Sequence, residues 1–182
     1  EIPFMKGYTV FNALQIEGLP ENYYVKPQAP AEKLPLIENA EKFFNATGAT
    51  FRHGGDKAYY SSSPDVIQLP YPEAFKDAES YAATKAHELT HWTKHPTRLD
   101  RDFGRKRFGD EGYAKEKLVA ELGAAFLCAD LSITPEARED HAAYIGHWLE
   151  ALKGDKRFIF SAAAHAQRAL DYLHGLQPSP AD

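Results

Sequence analysis

The chain has 182 residues, 43% of them hydrophobic and 13% aromatic, with a formal net charge of −5 at pH 7. One domain's length with that much apolar side chain excludes a disordered or fibrous protein, and the acidic balance excludes a general pull toward nucleic acid or anionic membrane. A single cysteine, Cys128, excludes an internal disulfide, and with no membrane-length apolar run and no signal-peptide pattern the expected setting is cytoplasmic, with Cys128 a small buried hydrophobe.

Residues 1–30 carry Pro3, Pro20, Pro27 and Pro30 around Tyr8-Thr9-Val10-Phe11-Asn12, which predicts a short strand and an extended linker arm leading into a body over 31–182. Because it opens on Glu1 rather than Met, the chain reads as a fragment or a processed product. Leu36, Ile37, Ala40, Phe43 and Phe44 recur at helical spacing after Pro35, and Gly48 offers a left-handed stop, so a helix is expected over about 34–46. Thr50-Phe51-Arg52, Ala58-Tyr59-Tyr60 and Val66-Ile67-Gln68-Leu69 are β-rich runs separated by Gly54-Gly55-Asp56 and Ser61-Ser62-Ser63-Pro64-Asp65, which predicts a small antiparallel sheet. A helix over about 78–94 follows, ended by Pro96. The stretch 97–112 mixes Arg98, Arg101, Arg105, Lys106 and Arg107 with Asp100, Asp102, Asp110 and Glu111, and reads as a solvated mixed-charge loop. Helices are expected at about 113–131, 135–153 and 155–175, broken at Thr134-Pro135 and Gly154-Asp155. Strands first and helices after argue an α+β domain.

The 78–94 helix carries His87-Glu88-Leu89-Thr90-His91. Residues four apart lie one above the other on a helix, so His87 and His91 can converge on one ion, and Glu88 can reach a water on it. The motif is short, and its context has to decide. An open catalytic site needs a third protein ligand. In the next helix an apolar stripe through Leu118, Leu122, Ala125, Phe126 and Ala129 encloses Glu121, a carboxylate that a nearby cation would compensate. The competing reading places Glu121 at the edge of the stripe, bonded to an Arg or a backbone amide. Glu116, in the charged opening turn, and Asp130, at the helix end, are less well placed. Gly123 and Ala124-Ala125 would let this helix approach another closely. Two imidazoles and a carboxylate favour zinc and still admit manganese.

The motif with a later Glu121 resembles the gluzincin metallopeptidases. Gly7-Tyr8-Thr9-Val10-Phe11-Asn12, Thr47-Gly48-Ala49-Thr50, Arg52-His53-Gly54-Gly55-Asp56, Ala58-Tyr59-Tyr60-Ser61, His87 through Trp92, Arg98-Leu99, Val119 through Ala124 and Asp140-His141-Ala142-Ala143-Tyr144-Ile145 together resemble the metallopeptidase domain of the antirestriction protein ArdC family, over nearly the whole chain. The resemblance implies a zincin-like fold with a C-terminal helical part, His87, His91 and Glu121 as ligands, and Glu88 as the catalytic acid/base. Members of that family travel on plasmids and other mobile elements. They join an N-terminal single-stranded-DNA-binding domain to the zincin-like domain, and protect incoming DNA from restriction. No room exists before Gly7 for such a domain, so the expectation is the C-terminal part alone, acting on a peptide or protein and reaching single-stranded DNA only through the missing domain.

A peptidase must also steady a developing oxyanion, and His141 and Tyr144, one turn apart, are the candidates; His147 and His165 are chemically able too, His165 equally as a packed core histidine. His53 reads as a turn residue, His95 would close the site if it joined as a fourth ligand, and Trp92 and Trp148 read as core. An extended peptide is expected to pair with a strand edge at 57–60 or 66–69. The rival readings are a metal-stabilised accessory module without turnover and, more weakly, a nucleic-acid contact through Arg98 to Arg107.

Overall fold

Helix α1 (Glu38–Ala46) is followed by strands β1 (Thr50–His53), β2 (Tyr59–Ser61) and β3 (Val66–Leu69), and then by helices α2 (Ala78–Trp92), α3 (Glu111–Asp130) and α4 (Phe158–Gly175). The computed structural model describes residues 16–20, 34–104, 111–133 and 157–178. The strand expected at 8–12 and the helix expected at 135–153 lie outside them. The chain divides into two units, Glu1–Ala31 and Glu32–Asp182, and every element above belongs to the second. The domain is α+β, as its order of strands and helices requires. No helix among the described residues is long and apolar enough to cross a membrane.

The sheet is mixed rather than antiparallel. Its order is β1-β3-β2, with β3 parallel to β1 (Thr50 opposite Val66, His53 opposite Leu69) and antiparallel to β2 (Tyr59 opposite Gln68, Ser61 opposite Val66). Burial explains the arrangement. Val66, Ile67 and Leu69 are buried on both faces, so the most continuous apolar run takes the centre, whereas β1 and β2 are largely exposed and serve as edges. The turns between the strands read locally as hairpins, but β1 and β2 never pair with each other. With β3 paired on both sides over 66–69, that strand offers no edge to an added peptide.

Helix α2 is the central element. Asp77 caps it, its carboxylate accepting the Ser80 amide at 2.7 Å, and ten of its residues are buried. Its rear face is pinned by Lys85, whose ammonium donates to Glu41 of α1 at 2.8 Å and sits 4.4 Å from the Phe51 ring centroid. Leu89, fully buried, joins α2 to the core of Phe44, Ile67, Tyr81 and Leu127. Burying a leucine of this kind contributes about 1.5–3 kcal/mol. Trp92 is core, as expected, and so is Cys128, a free buried thiol whose pKa burial pushes up to about 11.

Helix α3 packs between α2 and α4, and only part of the expected stripe takes part: Leu118 is buried and Leu122 and Phe126 pack beside it against Phe158, Ala162 and Ala166. Ala125 and Ala129 are exposed, and a second buried face runs through Glu116, Val119, Ala120, Gly123, Ala124, Leu127 and Cys128. The small residues win because the crossing with α2 is close. A methyl group on Gly123 would lie 2.5 Å from Thr90 Cγ2 and 2.8 Å from its Oγ1. Gly123→Ala is expected to destabilise the domain by about 1–3 kcal/mol through overpacking, although alanine is the better helix former. Adding Thr90→Ala should recover part of that loss; a stabilised Gly123→Ala protein in urea denaturation would refute the close crossing.

Candidate metal centre

The two unnamed positions of the H-E-x-x-H motif anchor its helix. Leu89 points into the core and Thr90 meets Gly123 of α3, which leaves His87, Glu88 and His91 on the remaining face. The His87 and His91 rings stand edge to face, 4.9 Å between centroids. The Glu88 carboxylate is buried and accepts the Tyr60 amide of β2 at 2.9 Å through Oε2. That bond ties the motif to the edge of the sheet.

His91 is the more rigidly held imidazole. Its Nδ1 lies 2.9 Å from Glu116 Oε1, and Glu116 also receives Arg101 through Nε at 2.8 Å and Nη2 at 2.9 Å. Burial pushes the Glu116 carboxyl up, but the hydrogen bonds from His91 and Arg101 outweigh it and hold the group below the usual carboxylate range. For His91 burial dominates in the other direction, favouring the neutral ring. An ionised carboxylate only accepts, so the ring proton must sit on Nδ1 and the lone pair on Nε2, the form a metal ligand needs. In the sequence Glu116 stands in a charged opening turn that looks solvated, and only the fold carries it inside. The signal was its i+3 and i+4 relation to Val119 and Ala120 and its i+7 relation to Gly123, a face of small residues rather than leucines.

Glu121 lies at the flank of α3 rather than inside its packed face, and its Oε1 is 3.4 Å from His87 Nδ1. Both oxygens of Glu116 are taken up by Arg101 and His91, whereas Glu121 faces His87. Among the described residues, no three His, Cys, Asp or Glu donors converge on a common point in this arrangement, because Glu121 turns to His87 and His91 to Glu116. His141 and Tyr144 lie outside the described residues, as do His147 and Trp148.

The other histidines stand apart. His53 is not a turn residue but ends β1, 3.0 Å from the Tyr81 hydroxyl and stacked near Tyr71 and Tyr81. His95 bonds Thr97 at 2.8 Å, and His165 sits edge-on to Phe103 at 5.0 Å, a packed histidine. The loop after α2 corrects the expectation of a solvated basic cluster. Arg98 packs over Trp92, pairs with Asp65 through both terminal guanidinium nitrogens and reaches the Tyr60 hydroxyl at 3.1 Å. Arg101 is buried on Glu116 and also donates to Thr90 O at 3.0 Å and Thr93 Oγ1 at 3.1 Å. The cations at 105–107 lie outside the described residues. In front of Glu88 and His91 opens a cleft of about 210 Å³, walled by Tyr60, Lys94, Tyr113 and Lys117.

The sequence matches the family model of zincin-like metallopeptidases over residues 38–165. It is 45% identical over 175 residues to the y4eC protein of Sinorhizobium fredii, covering 96% of this chain and 55% of that one. DNA primase TraC of Escherichia coli is 46% identical over 166 residues, 91% of this chain and 15% of the primase. The crystal structure of the Mn(II)-bound antirestriction ArdC protein from the R388 plasmid superposes with a TM-score of 0.70 at 45% identity, over 96% of this chain and 63% of that one. Its metal-free form gives 0.68 at 46% identity, over 96% and 62%. The chain thus spans less than two thirds of the length of each relative.

Removing Glu116 should be costly, since it leaves Arg101 buried without its carboxylate. Glu116→Ala is expected to lose about 3–5 kcal/mol of stability in chemical denaturation. Glu121→Ala, at a partly exposed position, should lose far less when no metal is present. Equal losses would contradict the division of labour between the two carboxylates.

Proposed function

The chain belongs to the zincin-like metallopeptidase family, and from that premise we propose that it hydrolyses peptide bonds with the help of one divalent cation held by His87, His91 and Glu121. The observation that carries the reading is the placement of Glu88, a buried carboxylate with one oxygen held by the Tyr60 amide, lining a cleft together with His91. The donor set fits the group: His91 presents an unprotonated Nε2, and the His87–Glu121 contact is one that a cation would replace. The Mn(II) of the related ArdC structure supports a divalent ion, and two imidazoles with a carboxylate are equally the ligand set of catalytic zinc. A bound cation would supply Lewis acidity, polarising the scissile carbonyl and easing deprotonation of water.

The chain's own residues do the rest. Glu88 Oε1 takes the proton from the attacking water and later delivers it to the leaving amine, while the Tyr60 amide fixes the carboxylate's orientation. Glu116, backed by Arg101, keeps the His91 proton on Nδ1. Strand β2, at the edge of the sheet beside the motif, is the edge for an extended peptide to join. His141 and Tyr144 remain the candidates for steadying the oxyanion. In the whole protein the domain works in antirestriction beside a single-stranded-DNA-binding domain, and the DNA contact belongs to that domain, because Arg98 and Arg101 are engaged within this one.

A second reading, a metal-stabilised module without turnover, has one observation in its favour, that the donors do not converge as they stand. The two glutamates separate the readings. About one divalent ion per chain is expected by elemental analysis, and Glu121→Ala should release it. Glu88→Gln should keep the metal and the melting temperature while hydrolysis falls about 100-fold or more, the scale of general acid–base catalysis. Undiminished hydrolysis in Glu88→Gln would defeat the mechanism, and metal-loaded wild-type protein that cleaves nothing would favour the module.

A further inference from the structure

We propose that Arg98 and Asp65 are positioning residues for the Glu88 carboxylate, acting through Tyr60: they grip its hydroxyl and so fix the strand whose amide holds Glu88. The proposal deepens the reading above and rests on it in taking Glu88 as the base. Tyr60 is bound at both ends. Its amide donates to Glu88 Oε2 at 2.9 Å, and its hydroxyl donates to Asp65 Oδ1 at 2.8 Å while accepting from Arg98 Nη2 at 3.1 Å. Burial and the Asp65 carboxylate push the phenol above its ordinary pKa, so the hydroxyl keeps the proton that this bond needs. Arg98 in turn reaches Asp65 through Nη1 at 3.0 Å and also through Nη2, and donates from Nε to Trp92 O at 2.7 Å. Trp92 ends the helix that carries Glu88. The contacts therefore close a ring: from α2 through Arg98 to the Tyr60 hydroxyl, along Tyr60 to its amide, and back to α2 at Glu88.

Two features say that the ring sets the carboxylate rather than merely bracing the fold. Strand β2 is a weak support by itself. It has three residues, is largely exposed and, among the described residues, pairs with β3 alone. Short edge strands of this kind open locally at little cost, and an amide on one holds a carboxylate only as steadily as the strand itself is held. The second feature is that the ring is built against local preference. Asp65 takes its φ of 52° in a region that disfavours a side chain, and the carboxylate so placed meets both the Tyr60 hydroxyl and Arg98. Arg98 lies over the Trp92 ring, 3.8 Å from its centroid, with 6% of its side chain exposed. A planar guanidinium can serve Asp65, Tyr60 and a helix carbonyl at once, which an ammonium cannot do in fixed geometry. The motif helix is thus its own reference, since β2 cannot shift against Glu88 without breaking a contact rooted at Trp92.

The test starts from the 182-residue chain, isotope-labelled and stripped of metal with a chelator, with hydrogen exchange of single amides followed by NMR. Tyr60→Phe removes only the hydroxyl, Asp65→Asn keeps the shape and loses the charge, and Arg98→Lys keeps the charge and loses the fork. Each is expected to speed exchange of the residue-60 amide at least about tenfold, the worth of one charge-assisted bond. The Leu89 and Leu127 amides, inside α2 and α3, should exchange as in the wild type. Glu88→Ala should expose the same residue-60 amide, and adding Tyr60→Phe to it should change little, because both act on one contact. In metal-loaded protein, Tyr60→Phe and Asp65→Asn should lower kcat about tenfold or more with KM unchanged, a loss of orientation rather than of binding. In Glu88→Gln the same changes should cost nothing further. Unchanged exchange at residue 60, equal acceleration at all three amides, a rise in KM at constant kcat, or losses that add to those of Glu88→Gln would each overturn the proposal. Wild-type protein that cleaves nothing would sink the peptidase reading instead, and exchange at residue 60 would then decide the positioning of Glu88 by itself.

Discussion

The buried carboxylate of Glu116 is the constraint on which the candidate centre depends. An ionised glutamate in that position is costly unless it is paired and fully hydrogen-bonded. Arg101 meets it with two nitrogens and His91 with one, and the same guanidinium closes the end of α2 through Thr90 O and Thr93 Oγ1. One network thereby fixes three things together: the tautomer of His91, the register of α3 against α2, and the path of the chain beyond the motif. It is also complete. No buried side-chain nitrogen or oxygen among the described residues lacks a partner.

Rigidity is distributed unevenly around the site. Behind it, α2 is wedged against Gly123, pinned by Lys85 to α1 and β1, and bracketed by Arg98, which links the chain after the helix to Asp65 and Tyr60 of the sheet. Asp65 takes a positive φ of 52°, a conformation uncommon for a non-glycine residue, and two guanidinium contacts hold it there. In front, His87 and Glu121 keep 13% and 22% of their side chains exposed, against 8% and 9% for His91 and Glu116. One imidazole is thus set by buried partners, while the other faces a partly exposed carboxylate.

The relatives give the module its setting without defining its chemistry. The same stretch aligns with 55% of the y4eC protein and only 15% of TraC, so one domain of this kind sits within proteins of very different length. What such a domain contributes has to be sought in its own residues. Here those are a motif helix, a carboxylate held by a strand amide and a cleft whose walls carry lysines.

The elements themselves were legible from the amino-acid sequence, because each depends on local signals: helical periodicity in Leu36 to Phe44, the β-rich runs at 50–52 and 66–69, and a helix through His87 and His91 stopped before Pro96. The family was legible too, since a metal motif with its surrounding blocks is a local pattern. Tertiary packing decided what local patterns cannot encode. The runs of the sheet did not say that β3 would lie between β1 and β2, a choice made by how much apolar surface each strand can bury on two faces. The leucines of α3 pointed to one face, yet the close crossing at Thr90 gave the interface with α2 to Gly123 and Ala124 and carried Glu116 inside. Arg98 and Arg101 read as solvated because their partners, Asp65 and Glu116, are 33 and 15 residues away along the chain. Charge pairing over such separations is written in three dimensions only, since the energy of a buried ion pair depends on the desolvation that the assembled fold imposes.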